Sequence, residues 1–357
     1  MLRVQMSGAD WFDTRAGGLN RYFTDLWLAL RARPRVSVKA VAFGAPDAAG
    51  GHSWPGQDAP FPARVLSSAL THRVPRGTVL DRHFAPYGPL PAPAVRRPRG
   101  PVVTHFHGPW AGESAAAGER AAAVALKRRI ELVRYRGSDA YVVLSRYFAR
   151  LLATDYRIPA DRIRVIPPGV DLDRFAVPQE PAGPPTVLCV RRLERRMGID
   201  TLLTAWPAVA AALPEARLIV VGTGTEEAAL RAQATGLSGV TFTGRVTDDE
   251  IAELYRRATV SVVPTRSLEG FGLVCLESLA SGRAPVVTDA GGLADSVIGL
   301  DPSLVVPREH PEALAERLVA ALRGRRPDAR ACRAHAETFT WAASAAAHEA
   351  LYRELIG

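Results

Sequence analysis

Short apolar runs recur along this chain, separated by stretches whose apolar residues repeat at helical spacing. In the first half, residues 3–6, 36–43, 102–105, 140–144 and 164–166 read as strands, and 19–31 and 119–136 as helices. Residues 44–100 are rich in Pro and Gly with few clear elements, and read as variable loops of the kind that shape substrate specificity. The stretch Pro178-Gln-Glu-Pro-Ala-Gly-Pro-Pro185 reads as a linker. After it the pattern restarts, with strands expected at 187–190, 218–221, 240–242, 260–263, 285–288 and 304–306. These Val-, Ile- and Leu-rich runs lack polar alternation, which is the mark of parallel strands buried on both faces. Two such arrays predict two doubly wound α/β domains, 1–177 and 186–339, joined at 178–185.

Composition narrows the class. A length of 357 residues suits two domains, and 47% apolar residues suit a globular chain. No apolar run approaches the roughly 20 residues that a membrane span needs. The N-terminal residues enter a strand with no signal-peptide pattern, so a cytoplasmic location is expected. Cys189, Cys275 and Cys332 have no metal-like spacing and fit a reducing compartment. Lys39 and Lys127 are the only lysines, so arginine carries the net charge of +9, as in a GC-rich genome. Residues 1–178 hold 26 basic and 14 acidic side chains, or +12; the remainder holds 19 and 22, or −3. A basic first half suits anionic lipid headgroups, a phosphorylated acceptor or nucleic acid. The same asymmetry also follows from arginine-rich composition scattered over a solvated surface.

The densest chemistry lies in Glu269-Gly-Phe-Gly-Leu-Val-Cys-Leu-Glu277, where an apolar strand run meets a helix. The N–H groups of a helix's first turn have no intrahelical acceptor, so phosphate oxygens are welcome there. Glu269 falls in the loop and Glu277 in the helix, placing a carboxylate at each end of a phosphate-receptive turn. Carboxylates accept hydrogen bonds from hydroxyls, so the implied ligand is polyhydroxylated at both ends, as a nucleotide sugar is. Gly270 and Gly272 allow the backbone to approach that ligand closely.

Extended to Val262-Val-Pro-Thr-Arg-Ser-Leu-Glu269-Gly-Phe-Gly272, Ser281-Gly and Pro285-Val-Val-Thr-Asp-Ala-Gly-Gly292, this segment resembles the donor signature of family 4 glycosyltransferases. The likeness recurs in Ala16-Gly-Gly-Leu-Asn-Arg-Tyr22, His105-Phe-His107-Gly and Val143-Leu-Ser145-Arg. It continues through Ile166-Pro-Pro-Gly-Val-Asp-Leu-Asp-Arg-Phe175, Arg191-Arg-Leu193, Val221-Gly-Thr-Gly224 and Phe242-Thr-Gly-Arg-Val246, covering nearly the whole chain. It implies a retaining, metal-independent enzyme of GT-B fold, with two Rossmann-like domains facing across a cleft and a final helix, 340–357, returning to the first. A nucleotide-sugar donor, UDP-linked in preference to GDP-linked, and an acceptor hydroxyl compound are implied, with no cofactor and no nucleic acid.

By that resemblance the catalytic residues are His107, lining the cleft; Arg192, stabilising the diphosphate; and Glu269, holding the donor sugar. Donor binding falls to Gly17, Gly18, Arg196, Gly222, Arg245, Val246, Phe271, Gly272, Leu273 and Glu277, the last on the ribose hydroxyls. Asn20, Arg21 and Ser145 are expected on the acceptor side. The family usually places a lysine five residues after its arginine, and this chain has Met197 there; Arg195 or Arg196 is the expected substitute. With no enzymic nucleophile visible, the resemblance implies front-face departure in which the diphosphate helps deprotonate the acceptor.

Other readings stand beside this one. Asp171-Leu-Asp173 has the form of a metal-binding DxD but lies outside the donor motif, and the His105/His107 pair has no evident third ligand. Gly222-Thr-Gly224 after a strand resembles a dinucleotide loop, but Glu227 stands where the third glycine belongs, which argues against an NAD-dependent oxidoreductase. A non-catalytic sugar-nucleotide-binding subunit is the other alternative, hinted at by Met197 alone. The basic helix at 119–136 suits either peripheral contact with an anionic inner membrane face or plain solvation.

Overall fold

The computed structural model describes residues 1–46, 48–71, 74–84, 86–88, 100–177 and 183–357, and among these described residues thirteen segments form strands. They form two compact units, Met1–Gly169 with Trp341–Gly357, and Val170–Thr340. The first unit contains β1 (Leu2–Asp10), α1 (Gly18–Arg31), β2 (Val36–Phe43), β3 (Gly51–Ser53), α2 (Phe61–Thr71) and β4 (Val79–Arg82). It continues with β5 (Val102–Phe106), α3 (Trp110–Ala116), α4 (Ala121–Tyr135), β6 (Ala140–Val143), α5 (Arg146–Asp155) and β7 (Ile163–Val165). Its strands make one parallel sheet in the order β3-β2-β1-β4-β5-β6-β7.

The second unit contains β8 (Thr186–Val190), α6 (Ile199–Ala212), β9 (Arg217–Val221), α7 (Glu227–Gln233), β10 (Val240–Gly244) and α8 (Asp248–Arg257). It ends with β11 (Val260–Val263), α9 (Leu273–Ala280), β12 (Pro285–Thr288), β13 (Val305–Val306), α10 (Pro311–Leu322) and α11 (Ala329–Ala336). This sheet is also parallel, in the order β10-β9-β8-β11-β12-β13. Central parallel strands covered by helices on both faces bury successive positions, which is why Val187, Leu188, Cys189, Val260 and Val286 all have no exposed surface, whereas the edge strand β10 stays partly exposed. The last helix, α12 (Trp341–Ile356), belongs to the first unit, where Tyr352 and His348 are fully buried.

The region 44–100 departs from the loops expected there, since it contributes β3, α2 and β4. Strand β4 reads Val-Leu-Asp-Arg, and its two charged residues suggest solvent. Both are buried instead, because β4 lies between β1 and β5. The helix expected over 119–136 is observed as α4, preceded by the short α3; the two are separated at Gly118, whose φ of 78° ends the first. Of the expected linker, residues 178–182 lie outside the described residues, and the division between units falls earlier, after Gly169. The reason is packing: Val170 bridges to Thr340 and Phe175 stacks on Tyr255, so this segment is held by the second unit.

Candidate active site

In an open parallel sheet, ligands bind beyond the carboxyl ends of the strands where the strand order reverses. In the second unit that reversal lies between β8 and β11. Residues 191–192 follow β8, Gly222 follows β9, Arg245 and Val246 follow β10, and 264–272 follow β11. Topology alone therefore brings the expected donor residues of this unit to one edge.

The centre of that edge is an ion pair between Arg191 and Glu269. The Arg191 guanidinium also donates to Thr265 Oγ1 at 2.6 Å and lies 3.1 Å from Met197 Sδ. Burial pushes the Glu269 carboxyl up, but Arg191 against it more than reverses that, with smaller help from Arg196 and Arg192, leaving it below the usual range. Arg192, the expected phosphate cation, is exposed, whereas Arg191 is buried. Arg196 supports the loop from beneath, donating to the Leu268 carbonyl at 3.4 Å. Arg266 turns away to pair with Asp200.

The backbone carrying Glu269 is under local constraint. Leu268 has φ 56°, a left-handed conformation uncommon outside glycine and one that concentrates at functional sites. Gly291 packs directly behind, where a Cβ would come within 2.3 Å of the Glu269 carbonyl oxygen. Phe271 is buried against Phe339, so its backbone rather than its ring is available. Gly272, with φ 85°, caps α9, and Leu273 opens it without a side-chain cap. Glu277 is half-buried in α9 with the Tyr255 hydroxyl 3.5 Å away. Gly222 is needed for a reason internal to the fold: a Cβ there would meet the Arg191 carbonyl oxygen at 2.0 Å.

In the first unit the reversal lies between β1 and β4. Gly17 and Gly18 open α1, and Gly17 is extended with open space around it. Asn20 is buried and donates to the Arg15 carbonyl at 2.8 Å, while Arg21 lies 4.0 Å over the Phe12 ring. Ser145 has no exposed surface and its hydroxyl caps α5 by accepting from the Phe148 N–H. The structure thus gives Ser145 a capping task in place of a surface for an acceptor. His107, half-buried after β5, has a buried Nε2 without a protein partner. Burial and the neighbouring His105 and His83 hold His107 well below the ordinary imidazole range, so it is neutral at pH 7.

Behind His107 lies a group that spacing did not reveal. Asp81 on β4 is met by His105 Nε2 at 2.9 Å, His83 Nε2 at 3.1 Å and the Tyr352 hydroxyl at 2.7 Å. Burial raises the Asp81 carboxyl, and His105 and His83 bring it well below its usual value. His105 and His348 are pushed down to about 4, chiefly by burial. His83 is the third histidine beside His105 and His107, and nitrogens of all three lie within 4.8 Å of one another. Their rings are stacked, however: His83 and His105 centroids are 3.8 Å apart at 20°, and His105 and His107 planes meet at 17°. An imidazole lone pair lies in its ring plane, so stacked rings do not aim at one tetrahedral centre. The arrangement is a carboxylate-centred stack.

Two family models match this chain: Glycosyltransferase Family 4 over residues 16–174 and Glycosyl transferases group 1 over 184–324. A D-inositol 3-phosphate glycosyltransferase of Segniliparus rotundus is 31% identical over 343 residues, covering 90% of this chain and 76% of the relative. The chain belongs to glycosyltransferase family 4. A GDP-mannose-dependent alpha-(1-6)-phosphatidylinositol monomannoside mannosyltransferase of Mycobacterium tuberculosis is 33% identical over 207 residues, 52% of this chain; the match spans about half the relative's length, 53%. Among solved structures, sucrose-phosphate synthase from Thermosynechococcus elongatus superposes with TM-score 0.79 at 22% identity over 99% of each chain. The two parallel-sheet units are those of the family's GT-B fold.

Proposed function

We propose that this protein transfers a sugar, with retention and without a metal ion, from a nucleoside diphosphate sugar to a hydroxyl of a phosphate-bearing polyol. The observation that carries the reading is the ionised Glu269 at the sheet's reversal point, beside the uncapped start of α9. A carboxylate there accepts hydrogen bonds from the donor sugar's hydroxyls, and the α9 amides and nearby arginines receive the diphosphate. Glu277, in the next turns of the same helix, takes the ribose. The protein's contribution is orientation and stabilisation of the leaving diphosphate, which also takes up the acceptor's proton as the sugar departs on the same face. His107 offers a neutral, unpartnered imidazole nitrogen for a substrate hydroxyl.

For the donor, the name of the Mycobacterium tuberculosis relative gives GDP-mannose, which favours a GDP-sugar here over the UDP-sugar preferred from sequence. For the acceptor, both relatives act on inositol compounds carrying phosphate, which fits the first unit's charge. With the boundary drawn by contacts, that unit still holds 26 basic and 14 acidic residues. Part of this excess is internal: Arg82 and Arg134 are buried and bonded to carbonyls. The remainder includes Arg129 on α4, which also exposes Leu126 and Val133, a face suited to an anionic membrane surface. Among the described residues no helix is long and apolar enough to cross a membrane.

Thermal shift with GDP, UDP and ADP, followed by GDP-mannose transfer to inositol phosphates in EDTA, tests the reading. A larger shift with GDP and EDTA-resistant, anomer-retaining transfer are expected. Turnover of no nucleotide sugar, or a strict need for added Mn²⁺ or Mg²⁺, rejects it.

A further inference from the structure

Strand β8 is followed by two consecutive arginines of opposite fate. Arg192 is exposed to solvent. Arg191 keeps only 8% of its side chain exposed and spans three partners: the Glu269 carboxylate, Thr265 Oγ1 at 2.6 Å and Met197 Sδ at 3.1 Å. Its Nε–H is buried and finds no acceptor among the described residues. A charged donor held this way is costly unless it serves a site, because buried polar groups are ordinarily satisfied.

We propose that Arg191 is a positioning residue of the donor site, holding Glu269 ionised and turned for the donor sugar, from the spot where Met197 supplies no charge. The inference rests on the reading of Glu269 as the donor-site carboxylate. One guanidinium nitrogen, Nη2, meets the Glu269 carboxylate, Thr265 Oγ1 and Met197 Sδ together, at the end of a side chain that reaches further than that of lysine. Thr265 is itself fully buried and fixed in the strand-to-loop turn, so Arg191 ties the loop of Glu269 to the end of β11. The neighbouring Leu268, in its left-handed conformation, needs such a tether to persist. Of the expected substitutes for a cation at position 197, Arg195 is exposed, and Arg196 bonds the Leu268 carbonyl and adds a smaller electrostatic contribution at Glu269.

The test uses the full chain and donor hydrolysis with GDP-mannose and UDP-glucose, measured across pH for wild type, R191Q, R191K and R191Q/M197K. R191Q removes the charge and leaves a shorter, polar side chain. It is expected to lower kcat about 30-fold or more while changing donor KM less than about 3-fold, because positioning acts on the reacting geometry. Its acidic limb should move to higher pH, since the largest charge opposing the burial of Glu269 is then gone and the carboxylate protonates earlier. R191K should restore the limb and lose kcat several-fold, because its shorter side chain reaches less far toward the carboxylate and Thr265. R191Q/M197K should return the limb toward wild type. Melting curves confirm that each variant is folded. Wild-type kcat and an unmoved limb in folded R191Q overturn the inference; if R191Q does not fold, a displaced limb in R191K does so instead.

A second measurement needs no turnover. The Glu269 carboxyl titration, followed by carbon NMR and identified by its loss in Glu269→Gln, should lie only slightly higher in R191K and higher by about one pH unit or more in R191Q. An unchanged titration in R191Q rejects the role of Arg191 whether or not the protein turns over sugar. Turnover of no donor by wild type, together with the expected titration shift, rejects the transferase reading and leaves the contact standing.

Discussion

Each unit places a carboxylate near the point where its sheet reverses direction, and the two carboxylates have opposite surroundings. Asp81 lies within β4, has no exposed surface, and is enclosed by His83, His105 and Tyr352. Glu269 lies in the loop after β11, keeps 17% of its side chain exposed, and is paired with Arg191. Equivalent topology therefore leads to different work. A carboxylate inside the strand is sealed by its neighbours and by α12, and organises the fold. A carboxylate a few residues beyond the strand end retains an open side and can meet a ligand. The same contrast separates the histidines: His105 is sealed, and His107, two residues on, is half-open.

Removing each carboxylate should break this comparison most visibly. Glu269→Ala is expected to lower kcat by about 100-fold or more, the scale of losing one preorganised contact to developing charge, with little change in melting temperature. Asp81→Ala should do the reverse, costing about 3 kcal/mol of stability as buried histidines lose their shared acceptor, with donor affinity preserved. Equal effects on stability and donor kinetics from both changes would erase the distinction.

Acid sharpens the same contrast. His105 and His348 have folded values near 4, below the ordinary value of about 6.5, so between those limits the unfolded chain binds protons that the folded one refuses. Stability should therefore fall as pH drops from 6.5 toward 4, by up to about 3 kcal/mol for each histidine, and be unaffected by them above that window. Asp81, depressed in the folded state, adds a loss of the same sign at lower pH. Urea titrations at several pH values check this, and His348→Leu should flatten the slope.

Smaller effects separate ligand contacts from scaffolding. Glu277→Ala should raise donor KM through a loss of about 1–3 kcal/mol of binding, with kcat little changed. Ser145→Ala should cost about 1 kcal/mol of stability through the lost α5 cap and leave acceptor kinetics alone. An acceptor KM that rises in folded Ser145→Ala would return that residue to the acceptor site.

Much of this was open to reading along the chain. Apolar runs such as 36–43 and 260–263 read as strands, the first buried over its second half and the other throughout, and the Gly-Phe-Gly turn between Glu269 and Glu277 marks a strand-to-helix junction by its local chemistry. Strand β4 escaped because half of it is charged, and its burial depends on partners that approach from β1, β5 and α12. His83 escaped for the same reason, being 22 residues from His105 and beside it only through strand pairing.

The order of elements, the parallel sheets and the phosphate-receptive turn were determined by the sequence itself, because they arise from local periodicity and turn chemistry. Which of two adjacent arginines faces the donor carboxylate was decided only in three dimensions. A strand buried on both faces carries no alternation from which the parity of its last residues can be read. Arg191 and Arg192 are therefore equivalent as letters. The close passage of Gly222 beneath the Arg191 carbonyl and the placement of Thr265 and Glu269 across β11 turn one inward and leave the other in solvent.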